Sequence, residues 1–456
     1  MGVLAHVNVL NVSVNSAYVS ITATKQTKCN QAHTFMNRIL YSTLLYLLSP
    51  LLLLYLTFRA VKSPAYRGRW AERFGLSRLQ ATDLLVHSVS MGETLAAIPL
   101  INKILTQYPH LTLTVTTTSP TGSAEVIKAF GDRVQHCYLP FDLPLCVARF
   151  LSQVQPKQCI IMETELWPNL LHQAKQRGVK LMLANARLSA KSAKQYQQRR
   201  KLVIPMLQAL DVIAAQSPST AERFIALGVP ASKIEVTGSL KFDLTIGEQH
   251  IAKARLLRSE WQRLEVPVWV AGSVHPGEFD AMLSAHKNVL IRFPHALLVM
   301  VPRHPEQFEA AASRVKAAGL TLARRSQADK VDADTQVLLG DTMGELLSFY
   351  GAADQAFVGG TLIENGGHNP LEPAAMGLPV YVGPNFRDFA EIALMLQEAG
   401  ALSVVKSAED LALQLVDKFD DKEAYLLARE AGLKVVEDNK GALAAQFALV
   451  CDLLDQ

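Results

Sequence analysis

A chain of 456 residues is too long for one ordinary core, so two domains with additions are expected. With 49% hydrophobic and 19% charged residues it is greasy for a soluble enzyme. The net charge of +4 is mild, and Lys and Arg are spread out except near the N-terminus, which argues against a nucleic-acid partner. The five cysteines, Cys29, Cys137, Cys146, Cys159 and Cys451, show no CxxC spacing. They read as free, mostly buried thiols of a reducing compartment. No HExxH or similar cluster appears, so no metal and no cofactor are expected.

Residues 1–35 are rich in Ser, Thr, Asn and Val and show no amphipathic period. Met36 reads as the natural start, which makes 1–35 an extension outside the native chain. Ile39 to Phe58 then runs twenty residues without a charge. A helix of that length measures about 30 Å, close to the hydrocarbon core of a bilayer. No small-residue cleavage site follows, which excludes a signal peptide. A buried core helix would be unusually apolar. Residues 36–60 therefore read as a membrane anchor, spanning or lying in the interface, with Pro50 as a source of a kink. Arg59, Lys62, Arg67, Arg69, Arg73 and Arg78 follow against the single acid Glu72. Such an excess marks a cytoplasmic flank and suits anionic headgroups.

From Leu84 the chain alternates short apolar runs with longer amphipathic ones. Strands are expected at Leu84–Val89, Leu111–Thr118, Cys159–Glu165, Lys180–Ala186 and Asp211–Ser217. A polar helical stretch between Leu240 and Glu265 interrupts the series. It resumes at Val268–Val274, Ala296–Arg303, Thr335–Asp341, Asp354–Thr361 and Leu378–Pro384. Continuous apolar strands separated by helices imply parallel sheets covered on both faces. The expected fold is α/β, with two Rossmann-like doubly wound domains at 61–240 and 241–422. Residues 423–456 are expected to be helices packing back on the first domain. In such folds ligands gather beyond the carboxyl ends of strands.

The candidate residues sit at those ends. Glu93 follows the first strand in His87-Ser88-Val89-Ser90-Met91-Gly92-Glu93, placed as a general base, although the same letters fit a helix cap. Glu163 and Glu165 follow the run CIIM. One of them could cap the helix starting at Pro168, and Glu163 is the more functional position because it emerges directly from the strand. Lys241 could neutralise a phosphate or carboxylate, or be a linker lysine. Pro302-Arg303 ends a strand with a group suited to bidentate phosphate contact. Met343-Gly344-Glu345 opens a helix, where capping by Asp341 or Thr342 explains the same letters. Asn369-Pro370-Leu371-Glu372 opens another after the glycine pair Gly366-Gly367. Helix starts of this kind attract anions, phosphate above all.

The segments RGRWAERFG, HSVSMGET, TTTSPTGS, METELWPNL, NARLSAKS, TGSLKFD, VPRHPE, GDTMGEL and GGHNPLEPAAMGLPV occur in this order. Together they resemble the motif set of the 3-deoxy-D-manno-octulosonic acid (Kdo) transferases over about residues 36–450. The resemblance implies a GT-B glycosyltransferase, its two domains facing a cleft, at the cytoplasmic face of the bacterial inner membrane. It implies CMP-Kdo as donor and a lipid A precursor, lipid IVA, as acceptor in lipopolysaccharide core synthesis. Glu93 then matches the proton acceptor, and Glu163 and Lys241 match positions of transition-state stabilisation. Pro302, Arg303, Met343, Gly344, Glu345, Asn369, Pro370, Leu371 and Glu372 match the CMP-binding segments. A nucleotide-sugar epimerase shares the two-domain layout but needs no lipid acceptor, so residues 39–58 argue against it. A non-catalytic lipid-binding protein does not explain the strand-end carboxylates and arginine.

Overall fold

The structure is a computed structural model that describes residues 37–244 and 246–454. The reading of 1–35 as an extension, and Cys29, lie outside the described residues. The chain divides into two units. The first runs through Leu240 and takes the chain back from Gly441, and the second spans Lys241–Lys440. The return comes later than residue 423, because the helix Lys422–Asp438 stays with the second unit. There Gly432 packs beside Ala374 and Ala401.

The first unit holds seven strands: β1 Leu84–His87, β2 Leu113–Thr117, β3 Gln135–Tyr138, β4 Gln158–Met162, β5 Lys180–Ala186, β6 Val212–Ala215 and β7 Ile234–Val236. Their order is β3-β2-β1-β4-β5-β6-β7, and all neighbours are parallel. Leu85, Ile161 and Leu183 feed the core layer on one face, while Leu84, Val86, Ile160 and Met182 feed the other. Both faces are covered, so alternate positions are equally apolar.

The second unit repeats the arrangement with β8 Val268–Val274, β9 Leu297–Pro302, β10 Leu322–Arg324, β11 Val337–Leu339, β12 Gln355–Val358, β13 Val380–Val382 and β14 Leu402–Val404. The order is β10-β11-β9-β8-β12-β13-β14, again parallel. Trp269, Ala271, Leu298 and Met300 face one core layer, and Val268, Val270, Leu297 and Val299 face the other. The four strands that the apolar pattern does not announce are β3, β7, β10 and β14. They are the outermost strands of the two sheets. An edge strand is short and partly wet, so it carries polar letters such as QHCY and LAR.

Each sheet has one switch point, where the strand order reverses: between β1 and β4, and between β8 and β12. A crevice opens there at the carboxyl ends because the connecting helices leave toward opposite faces. The first unit is closed by the helix Ala442–Leu454, whose Ala442, Val450 and Leu453 join the layer containing Leu100 and Ile104. Gln446 on this helix is fully buried. Its carbonyl accepts the Asn185 N–H at 3.0 Å and its amide donates to Thr237 Oγ1 at 3.1 Å. Asn185 in turn accepts the Leu240 N–H at 3.0 Å.

Four cysteines are described, and all are free, with Cys137, Cys146 and Cys159 buried. The apolar segment forms the helix Asn37–Lys62, continuous through Pro50, and its most apolar eighteen residues have mean hydropathy 1.9. Among the described residues it is the one helix long and apolar enough to cross a membrane.

Gln446→Leu keeps the volume and removes the side chain's polar contacts, leaving the buried Asn185 N–H unpaired. It is expected to cost about 2 kcal/mol of unfolding free energy, read from the urea midpoint. An unchanged midpoint would show that the terminal helix does not lock the first unit.

Candidate functional site

The switch point of the first unit is acidic. After β1 the chain turns through Ser88 and Val89 into the helix Met91–Gln107, capped by Ser90. Ser90 Oγ accepts the Glu93 N–H at 3.3 Å and donates to Glu93 Oε1 at 2.9 Å. Glu93 Oε2 accepts the Val89 N–H at 2.7 Å. The capping arrangement in the letters is therefore real, and it holds the carboxylate in one place. Glu93 is buried, 9% exposed. Burial pushes its pKa up, the hydrogen bonds from Val89 and Ser90 oppose this, and the charge of Glu163 adds to the rise.

Glu163 leaves β4 in the left-handed region, φ 55°, with its N–H on Ala184 O at 2.9 Å. A non-glycine residue in that region carries strain, and such strain clusters where a side chain must be aimed. Neither Glu163 nor Glu165 caps the helix Pro168–Gln176. That task falls to Asp142, whose carboxylate accepts the N–H groups of Asn169 and Leu170 at 2.9 and 2.8 Å. Glu165 is instead the third member of the acidic group. Burial, then the charges of Glu93 and Glu163, push its carboxyl up to about 7. The sequence singled out Glu163 and treated Glu165 as its neighbour; the signal for Glu165 was the same i, i+2 pair of carboxylates.

Lys241 opens the second unit, where its Nζ lies 4.9 Å from the centre of the Phe389 ring. It belongs to a different unit from the two glutamates.

The switch point of the second unit is built on a buried carboxylate, Glu278. It accepts the N–H groups of His275, Gly360, Thr361 and Leu362 at 3.1, 2.8, 3.0 and 3.0 Å. Gly359 is required here, because a Cβ would sit 2.4 Å from Ser273 O. Around this knot stand three histidines and an arginine. His275 and His368 stack at 5.2 Å with their Nε2 atoms 2.9 Å apart, and Asn365 Nδ2 lies 3.0 Å from His275 Nε2. The His304 ring meets His275 edge-on at 5.8 Å. Arg303 follows β9 and donates its N–H to Val274 O at 3.0 Å, with Pro302 buried behind it. Among the described residues no carboxylate lies within ion-pair distance of the Arg303 guanidinium. Burial, then Arg303 and the neighbouring imidazoles, push His368 down to about 4. Burial lowers His275 as well, with His304 and Arg303 adding to the effect against the charge of Glu278. Near neutral pH the His275 and His368 imidazoles are thus uncharged beside the Arg303 guanidinium, a setting that suits an anion. The sequence reading missed His275, Glu278 and His368. His275 directly follows β8, so the strand-end rule applied to Val274 would have found it.

The remaining predicted residues are placed as follows. The helix after Pro370 is short, Leu371–Ala375, and ends at Gly377 with φ 74°. Its first N–H, that of Leu371, is taken by Asn369 Oδ1 at 3.1 Å. Glu372 sits beneath, and burial raises its pKa against the pull of Asn369 and Arg303. Gly366 and Gly367 both have positive φ, 93° and 84°, as the turn needs. Met343 is exposed and Gly344 turns at φ 83°. Asp341 does not cap the next helix; it is buried and accepts from Ser326 and Arg324. Glu345 is held by Lys253 at 2.6 Å, Arg325 at 3.1 Å and the Thr342 hydroxyl. Burial alone would raise its pKa, but these partners hold it down to about 2. No group of three or more His, Cys, Asp or Glu with metal-binding geometry occurs among the described residues.

Comparison with known proteins gives a consistent result. The family model for 3-deoxy-D-manno-octulosonic-acid transferase (kdotransferase) matches residues 68–244. A 3-deoxy-D-manno-octulosonic acid transferase of Haemophilus influenzae is 42% identical, covering 92% of this chain and 100% of its own. One of Bordetella pertussis is 37% identical, covering 87% of this chain and 95% of its own. The solved UDP-GlcNAc 2-epimerase of Neisseria meningitidis superimposes with a TM-score of 0.54 at 12% identity, covering 80% and 99%. That likeness is one of fold.

The carboxyl of Glu165 gives a test of the acidic group. Its ordinary value is 4.5 and its folded value about 7. Between the two, the folded chain keeps a proton that the unfolded chain has released, so stability falls as pH rises. Glu165→Gln removes this share of the slope. The variant should gain on the wild type between about pH 5 and about pH 8 in urea midpoints. Parallel curves would mean that Glu165 titrates normally.

Proposed function

Because the chain belongs to the 3-deoxy-D-manno-octulosonic acid (Kdo) transferase family, we propose that it moves Kdo from CMP-Kdo to a hydroxyl of a lipid A precursor, lipid IVA, in lipopolysaccharide core biosynthesis. The observation that carries the chemical part is the position of Glu93: buried, held by two hydrogen bonds, and raised in pKa at the first switch point.

A sugar hydroxyl is a weak nucleophile and must lose its proton as it attacks. Glu93 takes that proton, and its raised pKa makes it a stronger base than an exposed glutamate. The hydroxyl oxygen forms the new bond to the anomeric carbon as the bond to the CMP phosphate breaks. One displacement inverts that centre. The departing CMP carries the negative charge away, and it is a monophosphate. Arg303 and Lys241 supply positive charge for it, Glu163 stabilises positive charge developing on the sugar, and this reading calls on no metal. Pro302, Arg303, Met343 to Glu345, and Asn369 to Glu372 hold CMP. Glu345 acts there mainly through the loop that it fixes, because Lys253 and Arg325 already occupy its carboxylate.

The acceptor carries acyl chains and stays in the membrane. The helix Asn37–Lys62 and the basic residues after it keep the enzyme at the inner membrane, with both units on the cytoplasmic side.

Glu93→Gln keeps the size and one acceptor atom and loses the base. Transfer should fall by about 10²–10⁴-fold while CMP binding stays unchanged. Ser90→Ala loosens the same cap but keeps the carboxylate, so its loss should be much smaller. Wild-type turnover by Glu93→Gln would remove Glu93 from the mechanism.

A further inference from the structure

The helix Asn37–Lys62 has two unlike faces. Leu40, Leu44, Leu47, Leu51, Leu54 and Phe58 are each more than half exposed. They follow one another in steps of four and three, which is one straight stripe along a helix. On the opposite side Ser42, Leu45, Ser49 and Leu52 are half-buried, and Leu56 is only 3% exposed. They follow the same steps on the other side.

The sheltered face is tied to the first unit at both ends. At the start, Arg38 Nη1 and Ser42 Oγ donate to Asn169 Oδ1 at 3.3 and 3.1 Å. Tyr41 OH donates to Asp142 Oδ2 at 3.0 Å, the carboxylate that caps the helix Pro168–Gln176. At the finish, Arg59 Nη2 donates to Tyr66 OH at 2.6 Å and Trp70 Nε1 to Tyr66 O at 2.7 Å. Arg73 then donates to Thr118 O at 3.0 Å, and Glu72 accepts the Tyr138 N–H at 2.8 Å. Residues 38 and 59 are about 32 Å apart along a helix, a bilayer's hydrocarbon thickness. A spanning helix cannot keep both ends on one water-soluble unit.

Two further details agree. Pro50 removes the N–H that would reach the Tyr46 carbonyl, and Ser49 Oγ donates to that carbonyl at 2.7 Å instead. The helix continues past its proline. Positive charge also stands at both ends. Arg38 opens a cavity of about 410 Å³ shared with Lys201 and with Lys175, which is paired with Asp211, and Arg59, Lys62 and Arg67 close the helix. A spanning segment concentrates its positive residues on one flank.

We propose that this helix lies in the plane of an anionic phospholipid surface. The leucine stripe dips among the acyl chains, and the basic groups at both ends meet phosphate headgroups. A helix with one apolar face and basic flanks settles about 5–10 Å into the headgroup boundary. The inference rests on the membrane-bound reading above and adds that the chain does not cross the bilayer.

The test uses the full chain with a protease-cleavable tag before residue 1, in sealed vesicles of phosphatidylethanolamine and phosphatidylglycerol. In molecules whose folded units face outward, external protease should remove the tag before detergent is added. A tag protected until detergent would overturn the in-plane placement while leaving membrane attachment intact. Wild-type chain that does not bind vesicles would overturn both. Leu47→Glu, on the exposed stripe, should weaken vesicle binding by about tenfold with an unchanged urea midpoint. Undiminished binding by this variant would show that the stripe is not the membrane-facing surface.

Discussion

A parallel sheet covered on both faces leaves very few places where a polar ligand can reach it. Its flanks are occupied by helices and its interior by Leu, Ile and Val. The gap that remains is the switch point, where helices leave in opposite directions past the carboxyl ends of adjacent strands. Both sheets of this protein obey that constraint, between β1 and β4 and between β8 and β12. The first gap collects Glu93, Glu163 and Glu165, and the second collects Arg303, His275, His304 and His368. The transfer proposed above would divide in the same way, with proton removal needing carboxylate and a departing phosphate needing positive charge.

The two gaps are stabilised by different means. In the first, three carboxylates stand close together, and burial with their mutual charge raises the pKa values of Glu93 and Glu165. In the second, the turn after β12 is tied down by Glu278 through four backbone N–H groups. These four bonds satisfy the buried carboxylate, and nearby Arg303 forms no ion pair among the described residues.

The central strands could be read from the sequence because burial on both faces makes every letter apolar, as in QCIIM and LLVMVP. The edge strands could not, because one side faces water and the hydrophobic signal halves. Glu93 was legible from its place after β1, and its double duty as cap and buried acid became visible only with the Val89 and Ser90 contacts. The Glu163 and Glu165 pair posed a choice that letters cannot make, since the cap comes from Asp142, more than twenty residues upstream. The histidine cluster joins residues 275, 304 and 368, which no local spacing connects. The helix at Leu371 was expected from its Pro and Glu, yet it makes little more than one turn before Gly377 ends it. The apolar segment at 39–58 was plain from composition, whereas its sheltered and exposed faces depended on partners at Asp142 and Asn169.

The most direct measurement is sugar transfer by the full chain. CMP-Kdo labelled in the sugar is mixed with the lipid A precursor in vesicles, and the lipid is extracted and counted. The account predicts labelled lipid and an equal yield of CMP. An unlabelled lipid beside an intact CMP-Kdo pool would contradict it.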